Sequence, residues 1–305
     1  MTIQQKIMRL PVISHLILVL KNIKLPLLKG LSLYDLIKLY LGEILQGDIS
    51  YRASAIAFSF FMALFPFALF ILNLIPFIPI PNFQIDFLQF VAEAVPPKTY
   101  DAIAMIIADI LMNSHSGLLS SGFLLSIFLS ANGINAILSG FESSKHISIK
   151  RGYLRQYLVA LTMSILFSVL LIVTVSAIVF LEVVIQKTII QDVLSDRISL
   201  LVLGRYAFII LMILMATSFL FKFGIKRDKK RAFISVGSIF TTVLIILTSY
   251  GFGIWVIKFS KYNELYGSIG TLLIMMFYIW INCMILLLGF DLNSLINKIN
   301  NDRIQ

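Results

Sequence analysis

Residues 156–181 read QYLVALTMSILFSVLLIVTVSAIVFL, a run without a single acidic or basic side chain. A helix rises 1.5 Å per residue, so about 20 apolar residues cross a hydrocarbon core about 30 Å thick. An amphipathic surface helix of a soluble protein would turn a charged face to water, and this run has none to turn. Four further blocks read much the same way, at about 53–78, 200–221, 233–257 and 268–289, with Arg205 the one charge among them. A sixth, at about 117–140, is more polar: Ser120, Ser121, Ser126, Ser130, Asn132, Asn135 and Ser139 interrupt it. A lipid-facing helix does not carry that many hydroxyls and amides, so this block is expected inside the bundle. The sequence predicts an all-α polytopic membrane helix bundle with six transmembrane helices. Composition agrees, since 59% of the 305 residues are hydrophobic and 13% charged, against about 25% charged in soluble domains.

The segments around the spans divide the chain further. Residues 1–52 are expected to form a cytoplasmic or interfacial N-terminal segment, residues 53–290 the six-helix domain, and residues 291–305 a cytoplasmic tail. Within 31–46, Leu33, Leu36, Ile37, Tyr40, Leu41, Ile44 and Leu45 recur at helical steps while Asp35, Lys38 and Glu43 face elsewhere. That pattern suits an amphipathic helix lying on the membrane or docked beneath the bundle. Pro66 sits inside the first block and is expected to kink it. Residues 82–116 contain two short apolar-periodic stretches separated by Pro96-Pro97, with Asp86, Glu93, Asp101 and Asp109 among them. A helical hairpin on the outer membrane surface fits, because four acidic side chains make burial in lipid costly. The start of the chain does not read as a cleavable signal peptide.

The net charge is +10, and the positions of the basic residues give it meaning. Nineteen lysines and arginines fall in the N-terminal segment, in 145–155, in 222–231 and in the tail. The alternate segments hold five: Lys98, Lys187, Arg197, Lys258 and Lys261. The positive-inside rule makes the basic side, with both termini, cytoplasmic. The same charges suit contact with anionic headgroups, so membrane lipids are the expected partners and nucleic acid is not. Arg205, about one turn inside the fourth block, is placed to snorkel toward the outer interface.

Several stretches in order resemble the YihY/BrkB family of bacterial inner-membrane proteins. The first is Asp48-Ile49-Ser50-Tyr51-Arg52-Ala53-Ser54-Ala55-Ile56-Ala57-Phe58, followed by Phe65-Pro66. The second is Asn132-Gly133-Ile134-Asn135-Ala136-Ile137, with Lys150-Arg151-Gly152-Tyr153-Leu154-Arg155 after it. The most specific is Tyr262-Asn263-Glu264-Leu265-Tyr266-Gly267-Ser268-Ile269-Gly270, with Trp280 and Leu288-Gly289-Phe290-Asp291-Leu292-Asn293 behind it. The likeness covers about residues 31–295. Asp291 stands where the family usually has glutamate, and Phe221-Lys222-Phe223-Gly224-Ile225 lacks the family's usual tyrosine and proline. The resemblance implies a bacterial inner-membrane protein with six spans, from a family once mislabelled ribonuclease BN.

The residues themselves define the candidate sites. Asn132 and Asn135 share one helical face with Ser139 next to it. Such amides either hydrogen-bond helix to helix or line a cavity, and Asn282 in the last span has the same two readings. With Arg205 these are the candidate cavity or substrate residues. Pro66, Asn263, Tyr266, Gly267, Ser268, Gly270 and Asp291 form a structural set: the glycines permit tight helix starts and close packing, and Asp291 is placed to pair with a lysine or arginine of the basic side. Catalytic chemistry finds little to stand on. His15, His115 and His146 lie in three separate segments, Cys283 is the only cysteine, and the helical pair Glu142 and His146 reads as a solvated helix end. No cofactor or metal is expected. Three functions from different classes follow, in order: a transporter or lipid-translocating protein acting on an amphiphile, a membrane scaffold or partner-binding subunit, and a membrane-embedded enzyme.

Single cysteines replacing Lys98, Gln191 or Asn263 are expected to react with an impermeant thiol reagent on intact cells, and a cysteine replacing Lys229 is not. Labelling at Lys229 would invert the topology.

Overall fold

A computed structural model describes residues 48–75, 83–94, 118–144, 147, 151–187, 197–225, 232–258 and 268–302, with single positions at 18, 21, 22, 32 and 34. Among the described residues the regular elements are seven helices: α1 Asp48–Leu74, α2 Phe83–Ala94, α3 Leu118–Glu142, α4 Tyr153–Lys187, α5 Arg197–Phe223, α6 Val236–Lys258 and α7 Ser268–Asp302. All but α2 are long and apolar enough to cross a membrane. The bundle is therefore all-α with six candidate spans, as the apolar blocks predict. Of the expected hairpin, α2 is seen; its second helix lies outside the described residues, as do Asn263, Tyr266 and Gly267 and nearly all of the N-terminal amphipathic stretch.

Local sequence fixes several helix ends. Asp48 places a carboxylate in the first turn of α1, where it favours the positive end of the helix dipole. Ser235 and Ser238 cap α6 reciprocally: the Ser238 N–H donates to the Ser235 hydroxyl at 3.1 Å, and the Ser235 N–H donates to the Ser238 hydroxyl at 2.9 Å. Pro66 lies within α1, which continues past it to Leu74. Such a break in the N–H series is tolerated where neighbouring structure supports the helix.

The spans pack as a closed ring in the order α1, α3, α4, α5, α6, α7 and back to α1, with α7 also reaching α3 and α5. Each span runs opposite to the one before it. The starts of α1, α4 and α6 therefore meet the ends of α3, α5 and α7 at one end of the bundle, the end bordered by the lysine- and arginine-rich segments. The principal core gathers at this basic end. It comprises Ile49, Ala53 and Ile56 of α1, Ile137, Leu138 and Phe141 of α3, Ala160 of α4, Phe221 of α5, and Leu286, Leu287 and Phe290 of α7.

The tightest crossing joins α6 to α7. A Cβ on Gly237 would lie 2.5 Å from the Gly289 carbonyl oxygen and 2.6 Å from the Asn293 Cβ, and a Cβ on Gly289 would run into the Thr241 hydroxyl. Lipid tails are as apolar as leucine, so close backbone approach of this kind supplies much of what holds two spans together. Gly251 and Gly253, farther along α6, face open space.

Gly289→Ala is expected to destabilise the bundle by about 1–3 kcal/mol through overpacking. Gly251→Ala, which meets nothing, should be neutral or stabilising by up to about 1 kcal/mol. Thermal unfolding of the two variants in detergent checks the contrast.

Candidate functional site

At the basic end the ring is tied by two arginines, each of which feeds its guanidinium to backbone carbonyls. Arg52, in the first turns of α1, donates from Nε and Nη2 to the Gly140 carbonyl at 3.1 and 2.7 Å. Its Nη1 donates to Asp291 Oδ2 at 3.3 Å. The other carboxylate oxygen, Oδ1, accepts from the Ser144 hydroxyl at 2.5 Å. Asp291 is 2% exposed, so its charge is compensated inside the protein. Three helices, α1, α3 and α7, are joined by this cluster. The pairing expected for Asp291 is present, and its partner is Arg52.

Arg151, just ahead of α4, does the same for α5. Its Nη1 donates to the Gly224 carbonyl at 3.0 Å, and its Nη2 to the carbonyls of Phe223 at 2.8 Å and Ile225 at 2.5 Å. A helix leaves its last carbonyls without intrahelical partners, and a planar fork of donors suits them. Burial lowers the Arg151 pKa from its ordinary value, while the Glu142 carboxylate works in the opposite direction. Glu142 is itself buried and accepts the Arg151 backbone N–H at 3.1 Å. It is thus an internal tie and not the solvated helix end that its sequence position suggested; His146 is outside the described residues. Beside these ties lies an aromatic layer. Phe141 stacks on Phe290 with centroids 4.0 Å apart, and Phe221 meets both edge-on at 5.8 Å.

The opposite end differs. Leu203, Ala207, Ile210, Leu214, Thr217 and Phe221 lie on one stripe of α5, four or three residues apart. Thr217 and Phe221 are buried, whereas Leu203 is 67% and Ile210 42% exposed. On α7 the stripe Leu272, Met276, Ile279, Cys283, Leu286 and Phe290 behaves alike: Leu272 is 47% exposed, and the residues from Ile279 onward are buried. On α6 the face that begins at buried Gly237 and Thr241 ends at exposed Trp255. The core-facing stripes of three helices therefore emerge from the protein as they leave the basic end. By contrast α1 and α4 stay buried at both ends, through Phe70, Ile71 and Ile75 and through Ile178 and Val179. Above the tight crossing, α6 and α7 are linked by a hydrogen bond of 2.6 Å between the Ser249 and Tyr278 hydroxyls and by Phe252, 4.9 Å from the Tyr278 ring.

The candidate polar residues fall into separate seams. Gln156 of α4 donates to Asn135 Oδ1 at 3.0 Å and to the Ser139 hydroxyl at 2.7 Å. Asn132, one turn away, is exposed. Asn282 lies with Tyr278, Ile285 and Gly289 on the α6-facing side of α7. Its Nδ2 donates to the Tyr278 carbonyl at 2.8 Å, and its Oδ1 is buried without a partner. Arg205 is partly buried on α5. Gly270 is buried near the start of α7, which Ser268 opens. Trp280 donates to the Ser54 hydroxyl at 3.1 Å, bringing two of the resemblance segments together. Gln156, Ser144 and Phe141 are residues that sequence patterns did not single out. Among the described residues, no group of three His, Cys, Asp or Glu side chains is placed to hold a metal ion.

Six apolar spans, knotted at one end by buried charge, make this a multi-pass membrane protein. The chain belongs to the BrkB family: residues 40–305 match the family described as Virulence factor BrkB. A Bacillus subtilis (strain 168) protein named putative ribonuclease-like protein YfkH is similar to it, 26% identical over 254 residues, which cover 81% of this chain and 90% of that protein. No solved structure matches.

Arg151→Lys is expected to lower stability by about 1–3 kcal/mol, because one ammonium cannot reproduce the fork that serves three carbonyls. Glu142→Gln keeps the acceptor for the Arg151 N–H and should change stability less. Unfolding midpoints of the two variants test this order.

Proposed function

We propose that this chain translocates an amphiphile, with membrane lipid as the first candidate, across a bacterial inner membrane. The observation that carries the reading is the change along α5, α6 and α7, whose core-facing stripes are sealed at the basic end and open at the other. We infer that these exposed apolar stripes border a vestibule. Leu203, Ala207, Ile210 and Leu272 at its side suit acyl chains and not a hydrated ion. With the basic end in the cytoplasm, as the positive-inside rule assigns it, the vestibule faces outward. The lysines and arginines at the closed end would then attract anionic headgroups. Asn132, exposed on α3, is proposed as a headgroup contact, and Asn282 as a polar group below the vestibule floor. The reading assigns no catalytic chemistry to the chain.

One observation favours the scaffold alternative: Asn135 and Ser139 are engaged by Gln156, which is how packing residues behave. The two readings separate in proteoliposomes carrying a phospholipid with a fluorescent headgroup and an impermeant quencher. On the translocation reading the wild type moves the probe between leaflets faster than protein-free vesicles do. Ile210→Trp and Leu272→Trp, which fill the vestibule, slow that movement by about tenfold or more with little change in unfolding midpoint. Asn132→Leu slows it as well. Equal probe movement with wild type and with empty vesicles would leave the scaffold reading in place.

A further inference from the structure

The spans form two groups. Helices α1 and α4 stay buried at both ends, with α3 packed between them and α2 beside α4; the buried side chains of α5, α6 and α7 lie toward the basic end. Among the described residues, several polar and aromatic ties across the boundary lie together, and Trp280 of α7 also bonds Ser54 of α1. Arg52 and Ser144 hold Asp291 of α7. Phe141 meets Phe221 of α5 and Phe290 of α7. Arg151 grips the last carbonyls of α5. The phenylalanines and the charge cluster adjoin at the basic end: Phe290 is next to Asp291 and Phe141 next to Gly140 in the chain. A substance leaving between the two groups at this end would meet both.

We propose that these ties are a gate: the Phe141–Phe221–Phe290 layer and the Arg52–Asp291–Ser144 cluster hold the passage shut, and releasing them lets α5–α7 rock away from α1–α4 and opens the basic end. The proposal rests on the translocation reading for its purpose, but its geometry is tested separately. The cluster suits a gate because its bonds lie toward the basic end of the spans, by the start of α1 and the end of α3, where water can replace them on opening. Bonds of the same kind at the bilayer midplane would be left unsatisfied. It also suits a gate because Arg52 serves acceptors on both groups at once, Gly140 on α3 and Asp291 on α7, so separation exchanges one set of partners and leaves the Gly140 contact in place.

The protein carries its own reporter. Cys283 is the only cysteine, is buried, and lies two turns from Phe290 on the same stripe of α7, on the vestibule side of the aromatic layer. The test uses the full-length protein in oriented vesicles, with an impermeant maleimide applied from one side at a time. From the basic side the wild type is expected to be protected. Arg52→Gln and Asp291→Asn should react about tenfold faster from that side only, as the open population rises. The double variant should react no faster than either single one, because the same pair is removed once. Ser144→Ala, which deletes one hydrogen bond and keeps the ion pair, should move in the same direction by less and serves where the charge variants fail to fold. Continued protection of Cys283 in a variant that unfolds cooperatively overturns the gate. So does a gain that is equal from both sides, which is what loosened glue would give. Unmasking from the basic side without any lipid movement by the wild type would uphold the gate and remove the lipid reading.

Discussion

The bundle depends on one guanidinium, shared between a backbone carbonyl and a carboxylate. Arg52 reaches the last turn of α3 and the buried Asp291 of α7 from the first turns of α1. In water such a contact would be worth little, because both charges are as well served by solvent. Here the carboxylate is enclosed, and removing either partner would strand a charge in a medium that cannot solvate it. The interaction therefore specifies which helices meet and at what height more than it adds net stability. Phe141 of α3 and Phe290 of α7 stack beside it because they neighbour Gly140 and Asp291 in the chain, and Phe221 of α5 meets both edge-on.

The contrast between the two ends follows from the solvent. Spans in lipid gain nothing from merely hiding apolar surface, since hydrocarbon receives a leucine as readily as another helix does. They stay together where backbones approach closely or where polar groups must find one another. Both conditions hold at the basic end: Gly237 against Gly289, Arg151 on the end of α5, and the Thr217 and Thr242 hydroxyls 3.3 Å apart between α5 and α6. Away from it, α5, α6 and α7 have leucine, isoleucine and aromatic side chains and only a few hydroxyl contacts. Exposed Leu203 and Ile210 of α5 and Leu272 of α7 lie where such ties are missing, while α6 and α7 stay joined through Ser249, Phe252 and Tyr278.

How much of this the sequence disclosed depends on which physical force wrote it. The bilayer's thickness leaves its mark on consecutive residues, so the six spans are legible, including the hydroxyl-rich 117–140 block that becomes the well-buried α3. The pairing of Asp291 was legible too, because a carboxylate at the end of an apolar run beside a basic segment has few alternatives. Its partner was not: Arg52 lies 239 positions away, and nothing in local spacing distinguishes it from the other cations of the basic side. Arg151 was visible only as one more topogenic charge, and Glu142 as a surface carboxylate, since caps made across helices have no periodicity. The stripes that open on α5 and α7 were hidden for a related reason. In a soluble helix the buried face differs in polarity from the exposed one, whereas here Leu203 and Phe221 differ in surroundings but not in chemistry. Asn132 and Asn135 were read together from their spacing, yet one is exposed and the other bonded to Gln156, a residue that drew no notice because it sits where an apolar span begins.

The length of α7 has a mechanical side. Its 35 residues make a rod about 52 Å long, against about 30 Å of hydrocarbon. Beyond Ile296 it continues as Asn297-Lys298-Ile299-Asn300-Asn301-Asp302, a polar stretch suited to water. The helix that carries Asp291 is thus also a lever whose short arm projects from the bilayer. Any tilt about that aspartate swings the projecting turns sideways, and a load applied to them presses back on the ion pair.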